Sequence, residues 1–140
     1  MKGKTLAGRY KLETPIGRGG MATVYRAWDE STNRHVALKF LLSSEGPEDT
    51  AQKRMLREAK LAASLNHPRI VKVYDIELEA REPFIVMEYI RGDSFKDILA
   101  KGISFLDSTE VLIAVCSAMD HAHNKCILHR HLKPENILIN

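Results

Sequence analysis

Over roughly the first 90 residues the hydrophobic and polar positions predict short strands and one helix, and from Gly92 onward a period near 3.6 prevails. Runs of β-branched and aromatic residues at Tyr10–Ile16, Thr23–Trp28, Val36–Lys39, Ile70–Leu78 and Pro83–Glu88 predict five strands. In the third run, alternation puts Val36 and Leu38 on one face and Ala37 and Lys39 on the other. Pro15 has no N–H for a ladder, so it belongs at a strand end or an irregularity. Asp29-Glu30-Ser31-Thr32-Asn33-Arg34 is a hairpin turn by composition, and Ser43–Glu48 is a loop. That loop leads into a predicted helix over Asp49–Ser64, whose apolar face carries Met55, Ala59, Ala62 and Ala63.

From Gly92 onward the pattern is helical. Ser94-Phe95-Lys96-Asp97 and Asp107-Ser108-Thr109-Glu110 each resemble a capping box ahead of apolar residues. The second is expected to open a long helix with Val111, Val115, Ala118, Met119 and Ala122 on one stripe. The fold class is therefore α+β, with an antiparallel sheet and one helix over 1–90 and helices over 91–140. A stripe without a cover invites association, so self-association through helix 107–124 is expected, together with low stability of the helical part.

Composition narrows the partners. The chain has 140 residues, 44% of them hydrophobic, and a formal net charge of +3 from 21 basic and 18 acidic residues. So small and dispersed a charge implies no nucleic acid and no anionic membrane as partner. No apolar run reaches the length of a membrane span, and Met1-Lys2-Gly3-Lys4 has no signal-peptide core. Two cysteines, Cys116 and Cys126, make no disulfide framework, and a reduced, cytoplasmic setting is expected.

Four motifs carry the chemistry. Ile16-Gly17-Arg18-Gly19-Gly20-Met21-Ala22-Thr23-Val24 is a glycine-rich turn between two strands. Lacking Cβ atoms, Gly17 and Gly19 let backbone N–H groups approach phosphate oxygens. Val36-Ala37-Leu38-Lys39 sets an amine beside a small residue on one strand face. Glu58 lies on the predicted helix within Arg57-Glu58-Ala59-Lys60-Leu61. His129-Arg130-His131-Leu132-Lys133-Pro134-Glu135-Asn136 comes four residues before the last, Asn140.

In this order the four resemble the protein kinase superfamily: its glycine-rich loop, its V-A-I-K strand, its αC glutamate and its H-R-D-x-K-P-x-N catalytic loop. Gly19-Gly20-Met21-Ala22-Thr23-Val24-Tyr25 and Leu65-Asn66-His67-Pro68 resemble the bacterial serine/threonine branch, the Hanks-type kinases. The resemblance implies a kinase N-lobe (a five-stranded antiparallel sheet plus the αC helix), then the hinge and first helices of an incomplete α-helical C-lobe. It implies ATP and Mg²⁺ as cofactors and a protein as substrate or partner. The loop, with Ala22 where a third glycine is usual, would cap the phosphates. Lys39, paired with Glu58, would hold them. Val24 and Ala37 would line the adenine site from above and Leu138 from below, and Ile16 would also contact the nucleotide. Met87 would be the gatekeeper, the Glu88 carbonyl and Ile90 amide would bond the base edge, and Asp93 would meet the ribose or cap the next helix. Lys133 would reach the transferred phosphate, and Asn136 would hold a weak Mg²⁺ site.

Two departures bear on activity. His131 stands where the family has the aspartate that orients the substrate hydroxyl, a role worth about 10²–10⁴-fold in rate. No D-F-G occurs among the 140 residues, so the reading is of a truncated kinase lacking its principal Mg²⁺ ligand and substrate platform. Lost orientation forfeits about 7–11 kcal/mol. Transfer of phosphate from ATP to protein Ser or Thr is accordingly expected to be absent or severely impaired. The alternatives are a pseudokinase-like interaction module and the remnant of an interrupted kinase gene. The crowd of His121, His123, Cys126, His129 and His131 is not read as a metal site, because His121 and His123 sit about 200° apart on a helix. Cys126 occupies a position where the family usually has glycine.

Overall fold

Short polar turns between β-branched runs reverse the chain after nearly every strand of its first half. The computed structural model describes residues 3–18, 22–41, 48–78, 80, 82–130 and 132–140, excluding the side chains of 41, 48–52, 54 and 55. Contacts divide the chain into two compact units, Met1–Ser64 with Lys72–Tyr89, and Leu65–Val71 with Ile90–Asn140. No described helix is long and apolar enough to cross a membrane.

The first unit is an antiparallel sheet of β1 (Thr5–Leu6), β2 (Tyr10–Arg18), β3 (Ala22–Asp29), β4 (Arg34–Leu41), β5 (Val73–Glu77) and β6 (Phe84–Glu88). Its spatial order is β1-β2-β3-β4-β6-β5. The five expected strands are present; the sixth, β1, is too short for alternation to show it. Pro15 sits between two register shifts in the β2–β3 ladder, as its missing donor requires. The hairpin turn joins Asp29 to Arg34, which face each other across β3 and β4.

Alternation sends Tyr10, Leu12, Ala27, Val36, Leu38, Phe40, Phe84 and Val86 into one buried cluster. The Tyr10 and Phe84 rings meet edge-on at 5.8 Å although β3 and β4 lie between their strands, so the sheet curls around this core. Each fully buried aliphatic here contributes about 1.5–3 kcal/mol. The rim is fastened by Asp29, whose carboxylate is 1% exposed. It accepts from Arg9 Nε and a second Arg9 nitrogen at 2.7 and 2.8 Å, from the Ser31 amide at 3.0 Å and from the Thr32 hydroxyl at 2.6 Å. The Arg9 bond, aided by Thr32 and Ser31, outweighs burial and holds the Asp29 carboxyl well below the usual carboxylate range.

Helix α1 (Glu48–Ala63) packs on the other face of the sheet. Its Ala59, 2% exposed, rests on Ile85 with Val73 and Ile76 beside it. A small residue there lets the helix axis approach the strands.

In the second unit, α2 (Phe95–Lys101) starts from Ser94, whose hydroxyl accepts from the Asp97 amide at 3.2 Å. The long helix α3 (Phe105–Asn124) is capped by Ser104 rather than Asp107: Ser104 Oγ accepts from the Asp107 amide at 3.0 Å. It therefore begins ahead of the expected start. Its C-terminus closes with the Ile127 amide on the Ala122 carbonyl and the Cys126 amide on the His123 carbonyl, at 2.9 and 2.8 Å. This is a Schellman closure, and Cys126 holds its left-handed position at φ 59°.

One expectation about α3 is corrected. Its Val111, Val115, Ala118, Met119, Ala122 stripe is not the uncovered side, because Ala118 and Ala122 are buried and the other three half-buried. The segment 65–71 lies on the helix, with His67 Nε2 3.2 Å from Ser117 Oγ and the His67 and His121 rings 5.3 Å apart. The exposed apolar side instead carries Phe105, Leu106, Leu112 and Ile113.

Candidate nucleotide-binding site

Directly paired residues of an antiparallel ladder point to the same side of the sheet. Gly17 pairs with Val24, Val24 with Lys39, Lys39 with Ile85, and Ile85 with Ile76. A second row runs from Arg26 through Ala37 and Met87 to Val73. Both rows lie on the face opposite the buried cluster. Five candidates, Gly17, Val24, Ala37, Lys39 and Met87, thus share one surface. Ala37 is buried, whereas Val24, Lys39 and Met87 are half-buried. Ile16, 46% exposed, precedes Gly17 on β2.

Helix α1 covers part of the same face. Ala59 seats on Ile85, the direct neighbour of Lys39, so Glu58 stands one residue from that contact. Lys39 and Glu58 are therefore on the same side of the sheet, yet among the described residues no ion pair joins them. The cause is the helix register: with Ala59 turned to the strands, Glu58 is exposed to solvent. The ion pair implied by the resemblance is not formed in this arrangement.

Glu88 belongs to the other row set. It pairs with Val36, its carboxylate accepts from the Lys72 amide at 3.2 Å, and its own amide donates to the Lys72 carbonyl at 2.8 Å. These bonds fix the end of β6 without using the Glu88 carbonyl.

The second unit gathers its candidates around a small ribbon of β7 (Asp93–Ser94) and β8 (Leu138–Ile139), in which Asp93 faces Ile139 and Ser94 faces Leu138. Gly92 is required here, since a Cβ would lie 1.9 Å from the Ile139 carbonyl oxygen. A 3-10 turn, Pro134–Asn136, follows Lys133, and the Asn136 amide donates to the Lys133 carbonyl at 2.9 Å. The turn is tied to α2 by Lys96 Nζ on Glu135 at 3.1 Å. Asp93 does not cap α2, which Ser94 does; its carboxylate meets Lys101 Nζ at 2.8 Å. Ile90, half-buried, begins the longer stretch of this unit. Gly19 and His131 lie outside the described residues.

Charge near the first face is organised by Glu13. Burial pushes its carboxyl up, but the hydrogen bond from Arg26, with the charges of Arg26 and His35, outweighs burial and lowers it. Sequence reasoning misses Glu13 and Arg26, although opposite charges on adjacent predicted strands are a signal that could find them.

A curled antiparallel sheet with one helix on its outer face, and a glycine, an alanine and a lysine in register on that face, define a protein of the kinase fold class. Comparison with known proteins agrees. A family described as "Protein kinase domain" matches residues 10–140. The chain is 40% identical to the probable serine/threonine-protein kinase SCO3848 of Streptomyces coelicolor, covering 97% of this chain and 21% of that protein. It is 42% identical to the serine/threonine-protein kinase PrkC of Bacillus subtilis, over 98% of this chain and 22% of that one. The crystal structure of the PknI kinase domain of M. tuberculosis superposes with a TM-score of 0.83 at 29% identity, covering 99% of this chain and 56% of the other. This chain belongs to the protein kinase family, in its bacterial serine/threonine branch. It spans about a fifth of the length of these curated relatives.

Proposed function

We propose that the outer face of the sheet binds ATP as protein kinases do, with Lys39 engaging the phosphates and Val24 and Ala37 against the adenine. The observation that carries this reading is the register that sets Gly17, Val24 and Lys39 in one row and Ala37 and Met87 in the next. The local packing fits a ligand. Among the described residues a Cβ on Gly17 would touch only Val24, at 3.8 Å or more, so none of them demands a glycine there. Close approach by a phosphate supplies the reason.

Magnesium fits less well. Asn136 offers one amide oxygen, and among the described residues no three His, Cys, Asp or Glu side chains gather into a metal-binding group. A Mg²⁺ ion needs six oxygens, so it would be carried chiefly by the phosphates it arrives with. Phosphate transfer is proposed to be impaired, because His131 stands at the aspartate position and that role is worth about 10²–10⁴-fold.

Equilibrium titration with a fluorescent ATP analogue tests the pocket. Replacing Lys39 by Ala removes a charge-assisted contact worth about 1.5–3 kcal/mol, or roughly 10–100-fold in affinity, with the far-ultraviolet circular dichroism unchanged. Equal affinity in Lys39→Ala removes the pocket assignment. Turnover assayed beside the Bacillus subtilis relative tests the impairment, and comparable rates contradict it.

A second reading, a pseudokinase-like interaction module, is favoured by His131 and by the exposed Phe105, Leu106, Leu112 and Ile113 of α3. Sedimentation of the chain beside Leu112→Glu tests self-association through that face. A mass unchanged by the substitution and by concentration rejects it.

A further inference from the structure

We infer that Arg26 is a positioning residue for the hinge: it holds the Tyr89 ring, and through Tyr89 the two backbone groups that read the nucleotide base. The inference rests on the ATP reading above and adds the part of the sheet that orients the base-reading groups.

Arg26 pairs with Ala37, and Ala37 with Met87, so it stands in the row proposed to meet the adenine. Its Nε donates to Glu13 Oε2, and its guanidinium carbon lies 5.9 Å from the centre of the Tyr89 ring. The other Glu13 oxygen lies 3.3 Å from His35 Nε2. The His35 ring in turn is 6.1 Å from the Tyr89 ring, tilted by 58°. One carboxylate therefore fixes both neighbours of Tyr89. Trp28 backs the imidazole edge-on at 4.9 Å, so this side of the clamp has little freedom.

Tyr89 directly follows Glu88, the last residue of β6, and precedes Ile90. The Glu88 carbonyl and the Ile90 amide thus flank it along the chain. Two groups that read one base edge bind best when their relative orientation is set before the ligand arrives, because ordering them on binding costs affinity. Arginine suits the task because its planar fork bonds a carboxylate while its face meets an aromatic ring, and lysine cannot do both.

The test compares the parent protein with Arg26→Met and Arg26→Lys, titrated with ATP, GTP and inorganic tripolyphosphate. In Arg26→Met the ATP affinity is expected to fall about two- to fivefold. Tripolyphosphate affinity stays unchanged and the preference for ATP over GTP narrows, since only base reading is disturbed. Arg26→Lys recovers part of the loss. Glu13→Gln, which keeps the size of the side chain, shifts ATP in the same direction should Arg26→Met fold poorly. Unchanged ATP affinity in Arg26→Met and Glu13→Gln overturns the inference. A parallel loss of ATP and tripolyphosphate affinity also overturns it, by marking a general structural effect. A parent protein that binds neither ligand removes the ATP reading itself, and this inference with it.

Discussion

The two units close their cores to different degrees. In the first, the sheet wraps Leu12, Val36, Leu38, Phe84 and Val86 to 1% exposure or less. In the second, the buried hydrophobics among the described residues are Phe95, Ala118 and Ala122, at 6, 4 and 2% exposure, while Phe105 is 85% exposed, Leu106 75% and Ile113 64%. A curled sheet supplies its own second layer, because distant strands meet across the core. A helix such as α3 must be covered by other elements, and the segment 65–71 covers only one side of it. The face proposed to bind nucleotide therefore stands on the better-closed unit, where ligand contacts need little ordering. The candidates of the second unit depend on a two-stranded ribbon and one 3-10 turn.

The sharpest way to break this contrast is at Asp29. Asp29→Ala removes a buried carboxylate and its bonds to the half-buried Arg9, to Ser31 and to Thr32, and the lost charge-assisted bonds are expected to cost about 1.5–3 kcal/mol, read from chemical denaturation followed by Trp28 fluorescence. A loss below about 1 kcal/mol would show the rim pair to be worth no more than a surface ion pair. The same carboxylate sets the acid response. Its folded value lies below its unfolded value near 3.9, so its contribution is complete above that pH and drains away as pH falls further. Glu13 is shifted in the same direction. Denaturation midpoints of the first unit should hold steady through neutral pH and fall below about pH 4, and Asp29→Ala should flatten that fall.

Next in size is Gly92→Ala, which forces a Cβ against the β8 backbone. Overpacking of this kind costs about 1–3 kcal/mol. Hydrogen exchange should rise in β7 and β8 while the core of the first unit keeps its protection. Loss of protection in both units would mean that they open together. Cys126→Gly works in the opposite direction, relieving a left-handed residue and stabilising the exit of α3 by about 1–2 kcal/mol. Leu112→Ala is expected to change stability by less than about 0.5 kcal/mol, whereas Leu38→Ala, fully buried, costs about 2–5 kcal/mol. Similar losses at the two leucines would erase the difference in core closure.

Much of this is legible locally. Pro15 lacks a donor and marks a break in register, and alternation alone sets Ala37 and Lys39 on one face. Cys126, standing at a glycine position of the family, adopts the backbone that glycine favours. What sequence reasoning misses depends on distance along the chain. Asp29 and Arg9 are 20 residues apart, and nothing local makes them partners. Gly92 is crowded by Ile139, which no turn signal announces. Ser104-Phe105-Leu106-Asp107 carries the same spacing as Ser94-Phe95-Lys96-Asp97, but Phe105 and Leu106 lie off the expected stripe, so the pattern favours the later box. The uncovered side of α3 escapes the pattern because hydrophobic periodicity shows which residues can pack and not which segment arrives to cover them.

The most direct test is a methyl and amide NMR titration of the chain with ATP, resolved by sheet face. Signals of Val24, Ala37 and Met87 should move with a common affinity, while those of Val36, Leu38 and Val86 on the opposite face stay in place. Shifts confined to the buried face, or no saturable shift at either, would contradict a nucleotide site on the Lys39 surface.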